Sequence, residues 1–228
     1  MTRYFNDKTF RFLRGLARHN NREWFHAHKA DYEAHVRGPF LRLLAELQPA
    51  LKEVSTHFIA DPRPSGGSLF RIHRDTRFAS DKAPYKSWQG ARLFHERRKQ
   101  VAAPSFYVHL EPGECFVGAG LWHPEPDTQR RIRQFIFDNP GSWKAAAHAP
   151  AFARRYDLES DEMLVRAPRG FPPEFEFIED LKHRNFVALR TLEDSVMLGP
   201  RLRQTLEKDL AALGPFVDYL CAALDLEF

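Results

Sequence analysis

The amino-acid sequence predicts an α+β protein in which N-terminal and C-terminal helices cover a central, mainly antiparallel sheet. Apolar residues recur at helical spacing over roughly residues 7–51 and 200–224 of the 228-residue chain. Between about residues 69 and 122 they instead alternate with polar residues, as is typical of strands. Two alternating stretches in this region flank Pro112-Gly113, and a tight turn of this kind makes the strands on either side antiparallel.

The first part of the chain predicts three helices. The first covers "DKTFRFLRGLARHN", with Asp7 as its expected N-cap, and the second covers "NREWFHAHKADYEAHV". Gly38-Pro39 is expected to end the second helix, and Pro39 can open the third at its first position. Asn20-Asn21 is interpreted as the turn between the first two helices. The turn-rich stretch "ADPRPSGG" then separates these helices from the sheet.

Several short segments predict the strands. "SLFRI" fits a strand with Phe70 and Ile72 on one face, and "WQGARLF" is a weaker candidate. The clearest signal is "SFYVHLEPGECFVGAGLW", which predicts a hairpin whose two strands are joined by a type II turn. Its "GAG" is too short for a phosphate-binding glycine loop, and we interpret it as room for close packing.

The second half of the chain returns to helices. "PDTQRRIRQFIFDN" predicts one helix, and a short helix is expected around Trp143. "EMLVRA" and "NFVALRTL" are strand candidates separated by a short helix near "PEFEFIEDL". Pro200 opens a final helical region, which Gly214-Pro215 is expected to kink or split. No stretch resembles a long linker, so a single domain over 1–228 is expected, with an open face or edge of the sheet opposite the helices.

Composition narrows the class of protein. A charged fraction of 28% and a mean hydropathy of −0.51 predict a soluble protein. The sequence contains no run of about 18 apolar residues, so no membrane helix is predicted, and no secretory signal is recognised. The two cysteines, Cys115 and Cys221, are far apart in apolar contexts, which favours buried thiols in a reducing cytoplasm over a disulfide.

The net charge of +4 is unevenly distributed. Residues 71–99 contain nine basic and three acidic residues, a local charge of +6, so the rest of the chain sums to −2. A focused positive region favours an anionic partner more than a generally basic composition does.

Much of this charge lies in "LFRIHRDTRFASDKAPYK", residues 69–86, which we call the charged segment. In a structural interpretation, Asp75 and Asp81 pair with neighbouring arginines and two aromatic residues, Phe78 and Tyr85, anchor the loop. The segment contains five cations and only two carboxylates, so three positive charges remain without a partner in it. The five cations are Arg71, Arg74, Arg77, Lys82 and Lys86.

In a functional interpretation, these five cations and Tyr85 line a pocket for a phosphorylated or polyanionic ligand. Tyr85 offers a hydroxyl and a stacking face, while Asp75 and Asp81 orient the cations or act as a base. These three residues are the candidates for catalysis within the charged segment, and the sequence does not decide whether the protein is an enzyme. The sequence identifies no cofactor and no oligomeric state.

Four stretches occur in an order that resembles a known family. They are "NNREWF", "FRIHRDTRFASDKAPYK", "GAGLWHPEP" and "LKHRNFVALR". Together they resemble the conserved-hypothetical family called domain of unknown function 2461 over nearly the whole chain. The resemblance implies a single intracellular domain shared by bacterial and fungal proteins and no established activity. The family usually has tyrosine where this chain has His73, so a role that needs a phenol there is not implied.

Two other functions remain open at this point. A nucleic-acid-binding module would use the basic residues that follow the charged segment, with Trp88 and Phe94 stacking on bases. Those basic residues are Arg92, Arg97, Arg98 and Lys99. "HERRKQ" is, however, better interpreted as an exposed hairpin tip. Alternatively, the chain is a structural or protein-interaction domain in which the charged segment only stabilises the fold.

The eleven histidines give only weak signals. No zinc-protease spacing is present, and the histidines at positions 26, 28 and 35 are interpreted as core or boundary residues, so no metal site is predicted. His73, His109 and His123 would form an acid/base or metal site if their strands were neighbours.

Overall fold

The computed structural model describes residues 2–77 and 80–228 and confirms the α+β class. A π-helix at Glu33–Arg37 joins the third and fourth helices, and no described helix is long and apolar enough to cross a membrane. The described α-helices are α1 (Asp7–Arg18), α2 (Arg22–Ala27), α3 (Lys29–Tyr32), α4 (Gly38–Val54), α5 (Pro126–Asp138), α6 (Pro140–Ala147), α7 (Pro150–Ala153), α8 (Asp194–Met197) and α9 (Leu202–Ala222).

The sheet is antiparallel throughout, with the strand order β1-β2-β3-β4-β6-β5. The expected hairpin is confirmed as β3 and β4, and Gly113 has the positive φ of 87° that its turn requires. The strands expected in "WQGARLF" and "NFVALRTL" are confirmed as β2 and β6. The strands are β1 (Phe58–Ile59), β2 (Gln89–His95), β3 (Ser105–Leu110), β4 (Phe116–Leu121), β5 (Asp157–Leu158) and β6 (Phe186–Thr191).

One face of the sheet packs on helices and forms the core. Leu93, Phe106, Val108, Val117 and Ala188 project from four neighbouring strands on this face and are almost completely buried. Helix α9 packs on β4 and on α4, which in turn contacts β1. Burying these aliphatic and aromatic side chains, at about 1.5–3 kcal/mol each, is the main stabilisation of the fold.

The opposite face, which we call the outer face, carries the alternate residues of the same strands. Cross-strand partners share a face, and the register places Arg92 beside Tyr107, Tyr107 beside Gly118 and Gly118 beside Leu189. Within the described residues, the outer-face residues of these four strands lie outside the main hydrophobic core, although Phe94 and His109 are themselves buried. They are Gly90, Arg92, Phe94, Ser105, Tyr107, His109, Phe116, Gly118, Gly120, Val187, Leu189 and Thr191.

The N-terminal helices differ from the expectation in two respects. The N-cap of α1 is Asn6, whose side chain accepts a hydrogen bond from the amide of Lys8, whereas Asp7 is the first helical residue. The second predicted helix is divided into α2 and α3, and the π-helix then continues directly into α4. Gly38-Pro39 therefore does not end the helical run, because Pro39 lies in the first turn of α4, where a missing amide proton is tolerated.

Two expected strands are absent from the described sheet. "SLFRI" forms only the isolated bridge between Leu69 and Ala91, because the chain changes its pairing partner after Phe70. Phe70 also does not accompany Ile72 into the core, since Ile72 is buried there whereas Phe70 is half-exposed. "EMLVRA" makes a single bridge, at Met163, with no neighbouring strand to extend it.

The final helical region expected from Pro200 is confirmed as the single helix α9. The helix is continuous through Pro215, so the expectation that this proline splits it is wrong. Leu213, Phe216 and Val217 are fully buried on either side of the proline. Their packing exceeds the cost of about 3 kcal/mol that an interior proline imposes on a helix.

The two glycines of "GAG" pack against the backbone of β6, which confirms the close-packing interpretation. A Cβ atom on Gly118 would lie 2.7 Å from the carbonyl oxygen of Ala188, and one on Gly120 would lie 1.9 Å from that of Phe186. Gly120 also has a φ of 134°, which side-chain-bearing residues rarely adopt. These glycines therefore allow β4 and β6 to approach each other.

We expect Gly120→Ala to lower the free energy of unfolding by about 3 kcal/mol or more, because it combines backbone strain with a backbone clash. Urea unfolding measures the change. Gly141→Ala is the matched control, since a Cβ atom there meets nothing within 4 Å and alanine favours the helix α6. Equal effects of the two substitutions would contradict this account of the strand packing.

Candidate functional site

The start of the charged segment pairs with β2 and so extends the sheet at its edge. The amide of Phe70 donates to the carbonyl of Gly90 at 2.9 Å, which aligns the start of the segment with β2. The segment then folds back on itself, with hydrogen bonds from Arg74 to Pro84 and from Lys86 to Ile72. Residues 72–74 and 84–86 therefore form a short two-stranded ribbon.

Tyr85 anchors this ribbon to the N-terminal helices. Its ring is buried and stacks on Phe25 of α2, with 4.2 Å between the ring centroids. Its backbone groups are both bound by the side chain of Asn20, at 2.9 Å and 3.0 Å. Because Phe25 covers one face of the ring, Tyr85 serves as an anchor here. Phe78, the second expected anchor, lies outside the described residues.

The two aspartates of the segment pair with two of its arginines. Asp75 accepts hydrogen bonds from the side chain of Arg77, the shortest at 2.6 Å, and Asp81 accepts one from Arg74. The Arg77 side chain lowers the pKa of Asp75, while the pKa of Asp81 is lowered first by the amide of Ala83 and then by Arg74. Both carboxylates are therefore held ionised, which makes them weak bases.

The three other cations of the segment have no carboxylate partner among the described residues. Lys82 donates to the carbonyl of Thr76, and Lys86 donates to the carbonyls of Arg71 and His73 at 2.8 Å and 3.0 Å. Arg71 is exposed and makes no hydrogen bond or ion pair within the described part of the chain. Its charge contributes, after the bonds from Arg77, to the lowered pKa of Asp75. The segment thus retains the surplus of three positive charges that its composition predicts.

His73 marks the place where this surplus charge is concentrated. Its pKa is lowered first by burial, then by the charges of Arg71 and Lys86 in the segment and of Arg22 and His26 on α2. We call these five residues the basic cluster. Burial and the charges of Arg71 and Arg74 likewise lower the pKa of Lys86. The main charges behind both shifts are therefore positive.

The sequence interpretation missed the two members of the cluster on α2. Arg22 and His26 are four residues apart, so they lie on the same face of that helix. This spacing is the signal from which the sequence could have predicted them. Their position depends on Asn20 and Phe25, which attach α2 to Tyr85. Of the predicted ligand-binding residues, Arg71 and Lys86 join the cluster directly, whereas Arg74 and Arg77 are paired with aspartates.

The possible three-histidine site is not formed. His73 packs on Tyr85, His109 bonds to Glu111, and His123 lies 3.4 Å from a carboxylate oxygen of Glu162. No hydrogen bond or ring contact among the described residues joins the three histidines. Within the ranges 2–77 and 80–228, no group of three histidine, cysteine or acidic residues could hold a metal ion.

A second polar arrangement that the sequence did not reveal lies on the outer face. Glu111 accepts a hydrogen bond from Nε2 of His109 at 2.9 Å, so Nδ1 is free to accept the hydroxyl proton of Tyr107 at 3.1 Å. Burial raises the pKa of Tyr107 and lowers that of His109, which keeps both groups neutral. The ring of His109 also stacks on Phe116, at 4.6 Å between centroids. These contacts fix Tyr107 as a rigid part of the outer face.

A groove of about 870 Å³ lies elsewhere, between α1, the α2–α3 region and α8. Trp24 and His28 stack within it, at 4.0 Å between ring centroids. No member of the basic cluster lines this groove. Its cations are accompanied by aspartates, which makes it a weaker candidate for an anion than the basic cluster. The charged residues that line it are Asp7, Lys8, Arg11, Arg14, Arg18, Asp31 and Asp194.

The geometry of the basic cluster does not by itself identify a known class of enzyme. Comparison with known proteins shows that the chain belongs to the family of the conserved hypothetical protein DUF2461, whose model matches residues 8–219. This confirms the resemblance seen in the sequence. No curated protein and no solved structure matches the chain.

We expect His73 to titrate below the ordinary histidine pKa of 6.5, and Arg71→Ala to raise that pKa because one repelling charge is removed. An NMR titration of the His73 ring measures both values. Because the pKa is lower in the folded state, the unfolded chain binds this proton first as the pH falls. The contribution of His73 to the free energy of unfolding is therefore lost as the pH falls from the ordinary value to the lowered one. An unshifted pKa that does not respond to Arg71→Ala would contradict the proximity of these charges.

Proposed function

We propose that this protein binds a phosphorylated or polyanionic ligand at the basic cluster. The observation that supports this proposal most strongly is the environment of His73, whose pKa is lowered by the charges of basic residues from two separate parts of the chain. The side chains of Arg22, His26, Arg71 and His73 are exposed and that of Lys86 is half-buried, so an anion from solution can reach the cluster and offset the repulsion between its positive charges. A ligand with several negative charges supplies that anion.

The side chains of the cluster suit the chemistry of phosphate. Arg71 is exposed and its guanidinium makes no hydrogen bond to the residues that the structure describes, and guanidinium groups bind phosphate oxygens through two parallel hydrogen bonds. Lys86 is fixed by two carbonyl oxygens and contributes a positioned point charge. His73 can gain a proton when an anion is near, which adds charge in response to the ligand.

The proposal is limited to binding. Asp75 and Asp81 are ionised and hydrogen-bonded to arginines, and Tyr85 is enclosed by Phe25 and Asn20. None of these three residues is placed to add acid/base chemistry to the basic cluster, so we assign no catalytic step to them.

We further propose that the chain acts as a single domain in the cytoplasm. Cys115 and Cys221 are both buried and free of disulfide bonds. Burial raises the pKa of each thiol to about 12, so neither is a reactive thiolate at neutral pH. Unreactive, separate thiols are compatible with a reducing compartment.

We expect inorganic tripolyphosphate to bind the protein, and Arg71→Ala to weaken binding about tenfold or more, because a charge-assisted contact is worth about 1.5–3 kcal/mol. Isothermal titration calorimetry at low salt measures the affinities. Arg77→Ala is expected to have a smaller effect, since the charge of Arg77 is offset by Asp75.

Arg130→Ala is the control for a general loss of positive charge, because Arg130 is an exposed arginine of α5 that pairs with Asp127. Lys86→Met retains much of the side-chain volume and is expected to weaken binding more than it lowers the melting temperature. If Arg71→Ala and Arg130→Ala weaken binding equally, the ligand recognises net charge and not this cluster. If Lys86→Met only lowers the melting temperature, the structural interpretation of the charged segment is the better one.

A further inference from the structure

The outer face of the sheet presents aromatic and apolar side chains that the core does not use. Tyr107, Phe116, Val187 and Leu189 on this face are partly buried and lie on three neighbouring strands. Within the described ranges, none of them belongs to the hydrophobic core or is packed against it. Apolar side chains that lie together on a surface and are bordered by polar residues can mark a binding site.

The outer face continues directly from the basic cluster. Lys86 lies over the ring of Trp88 at 5.5 Å, and the ring of Trp88 lies 4.9 Å from that of His109. Phe70 bridges Trp88 and Tyr107, with centroid distances of 6.4 Å and 5.7 Å. An unbroken row of rings therefore connects the cationic edge of the sheet to its centre.

The outer face also contains a cation without a partner. Arg92 projects beside Tyr107, and its Nε atom is buried without a hydrogen-bond partner within the described residues. Its pKa is lowered first by burial and then by the charge of Arg98, with no contribution from a carboxylate. An anion at the accessible end of the guanidinium group would offset this charge between the aromatic rings.

The acidic residues nearby do not neutralise Arg92. Glu111 is bound to His109 and, through its other oxygen, to Ser87. Asp157 is on the edge strand β5, opposite Leu189. The outer face thus combines positive charge at Lys86 and Arg92 with rings between them.

We propose that the outer face binds single-stranded nucleic acid, with bases stacked on the rings of Tyr107 and Phe116 and phosphates held by Arg92 and the basic cluster. Every base has a π-face, and alternating aromatic and basic side chains match the alternating bases and phosphates of a single strand. The four strands from β2 to β6 span about 14 Å at the usual strand spacing. Four-stranded sheets with aromatic residues on one face stack two or three bases in this way.

This inference rests on the proposed anion site, which would hold the phosphates at one end of the strand. A short ligand such as a nucleotide is less consistent with a surface spread over four strands, because small-molecule sites are concave. A duplex keeps its bases paired and stacked, so it cannot place them on the rings.

The test compares a fluorescently labelled ten-nucleotide thymidine strand with a ten-unit abasic strand of the same charge. Fluorescence anisotropy at several salt concentrations measures both affinities for the full chain. The thymidine strand is expected to bind at least about tenfold more tightly than the abasic strand, because only it can stack. A duplex of the same length is expected to bind no better than the abasic strand.

Two variants separate stacking from charge. Phe116→Leu keeps an apolar side chain but removes the ring, so it should weaken thymidine binding about fivefold or more without changing abasic binding. Arg92→Gln removes a charge that makes no hydrogen bond through its Nε, so it should weaken both strands with little effect on the melting temperature. Arg130→Gln on α5 is the charge control.

Each outcome has a separate meaning. If the two strands bind equally and Phe116→Leu has no effect, the outer face does not recognise bases, and the inference is wrong while the anion site stands. If neither strand nor tripolyphosphate binds at low salt, both proposals are wrong. If tripolyphosphate binds but the thymidine strand does not, only the nucleic-acid inference is overturned.

Discussion

The arrangement of the charged surface depends on how Asn20 holds Tyr85. The side-chain amide of Asn20 binds both backbone groups of this residue, much as a neighbouring strand would. The backbone groups on either side of Tyr85 instead pair within the ribbon, where the amides of Arg74 and Lys86 each donate a hydrogen bond to the opposite strand. Without Asn20, the outward amide and carbonyl of Tyr85 would be partly buried and unsatisfied, which costs about 1–3 kcal/mol per group. Stacking of Phe25 on Tyr85 adds apolar contact to this attachment.

This attachment has an electrostatic consequence. It brings α2 against a ribbon that already has more cations than carboxylates, so Arg22 and His26 approach His73 together with Arg71 and Lys86. Exposed ion pairs such as those of Asp75 and Asp81 contribute only about 0–1 kcal/mol each, and they leave the remaining charge unchanged. A fold that assembles such repulsion from two separate parts of the chain gains stability when an anion binds, because binding to the folded state alone stabilises it.

The sequence alone predicted the helices and strands whose apolar residues recur with a clear period. The hairpin of β3 and β4 was predicted because alternation and the Pro112-Gly113 turn agree, and the helix α9 because its leucines recur over six turns. Residues 68–72 were wrongly predicted to form a strand, because their backbone hydrogen bonds change partner within a few residues. Such a change leaves no signal in the spacing of apolar residues. Pro215 does not split α9 as expected, for another reason: tertiary packing outweighed local preference.

The candidate site was predictable in part. The charge count of the charged segment indicated three unpaired cations, and Arg71 and Lys86 are two of them. Arg22 and His26 were not predicted, because their contribution depends on a contact 65 residues apart in sequence, between Asn20 and Tyr85. Which residues lie on the outer face depends on the strand register, which the sequence does not reveal. The register decides whether residues such as Trp88 and Arg92 contact Tyr107 and His109 or face the core.

The central claim is that the surplus charge of the ribbon and α2 forms one anion site. The most direct measurement is a map of backbone amide chemical-shift changes on titration with tripolyphosphate. The account predicts that the largest changes fall on Arg22, Arg71, His73 and Lys86 and saturate together with one affinity. Changes confined to the arginines of α1 that line the groove, or scattered over the surface without saturation, would contradict it.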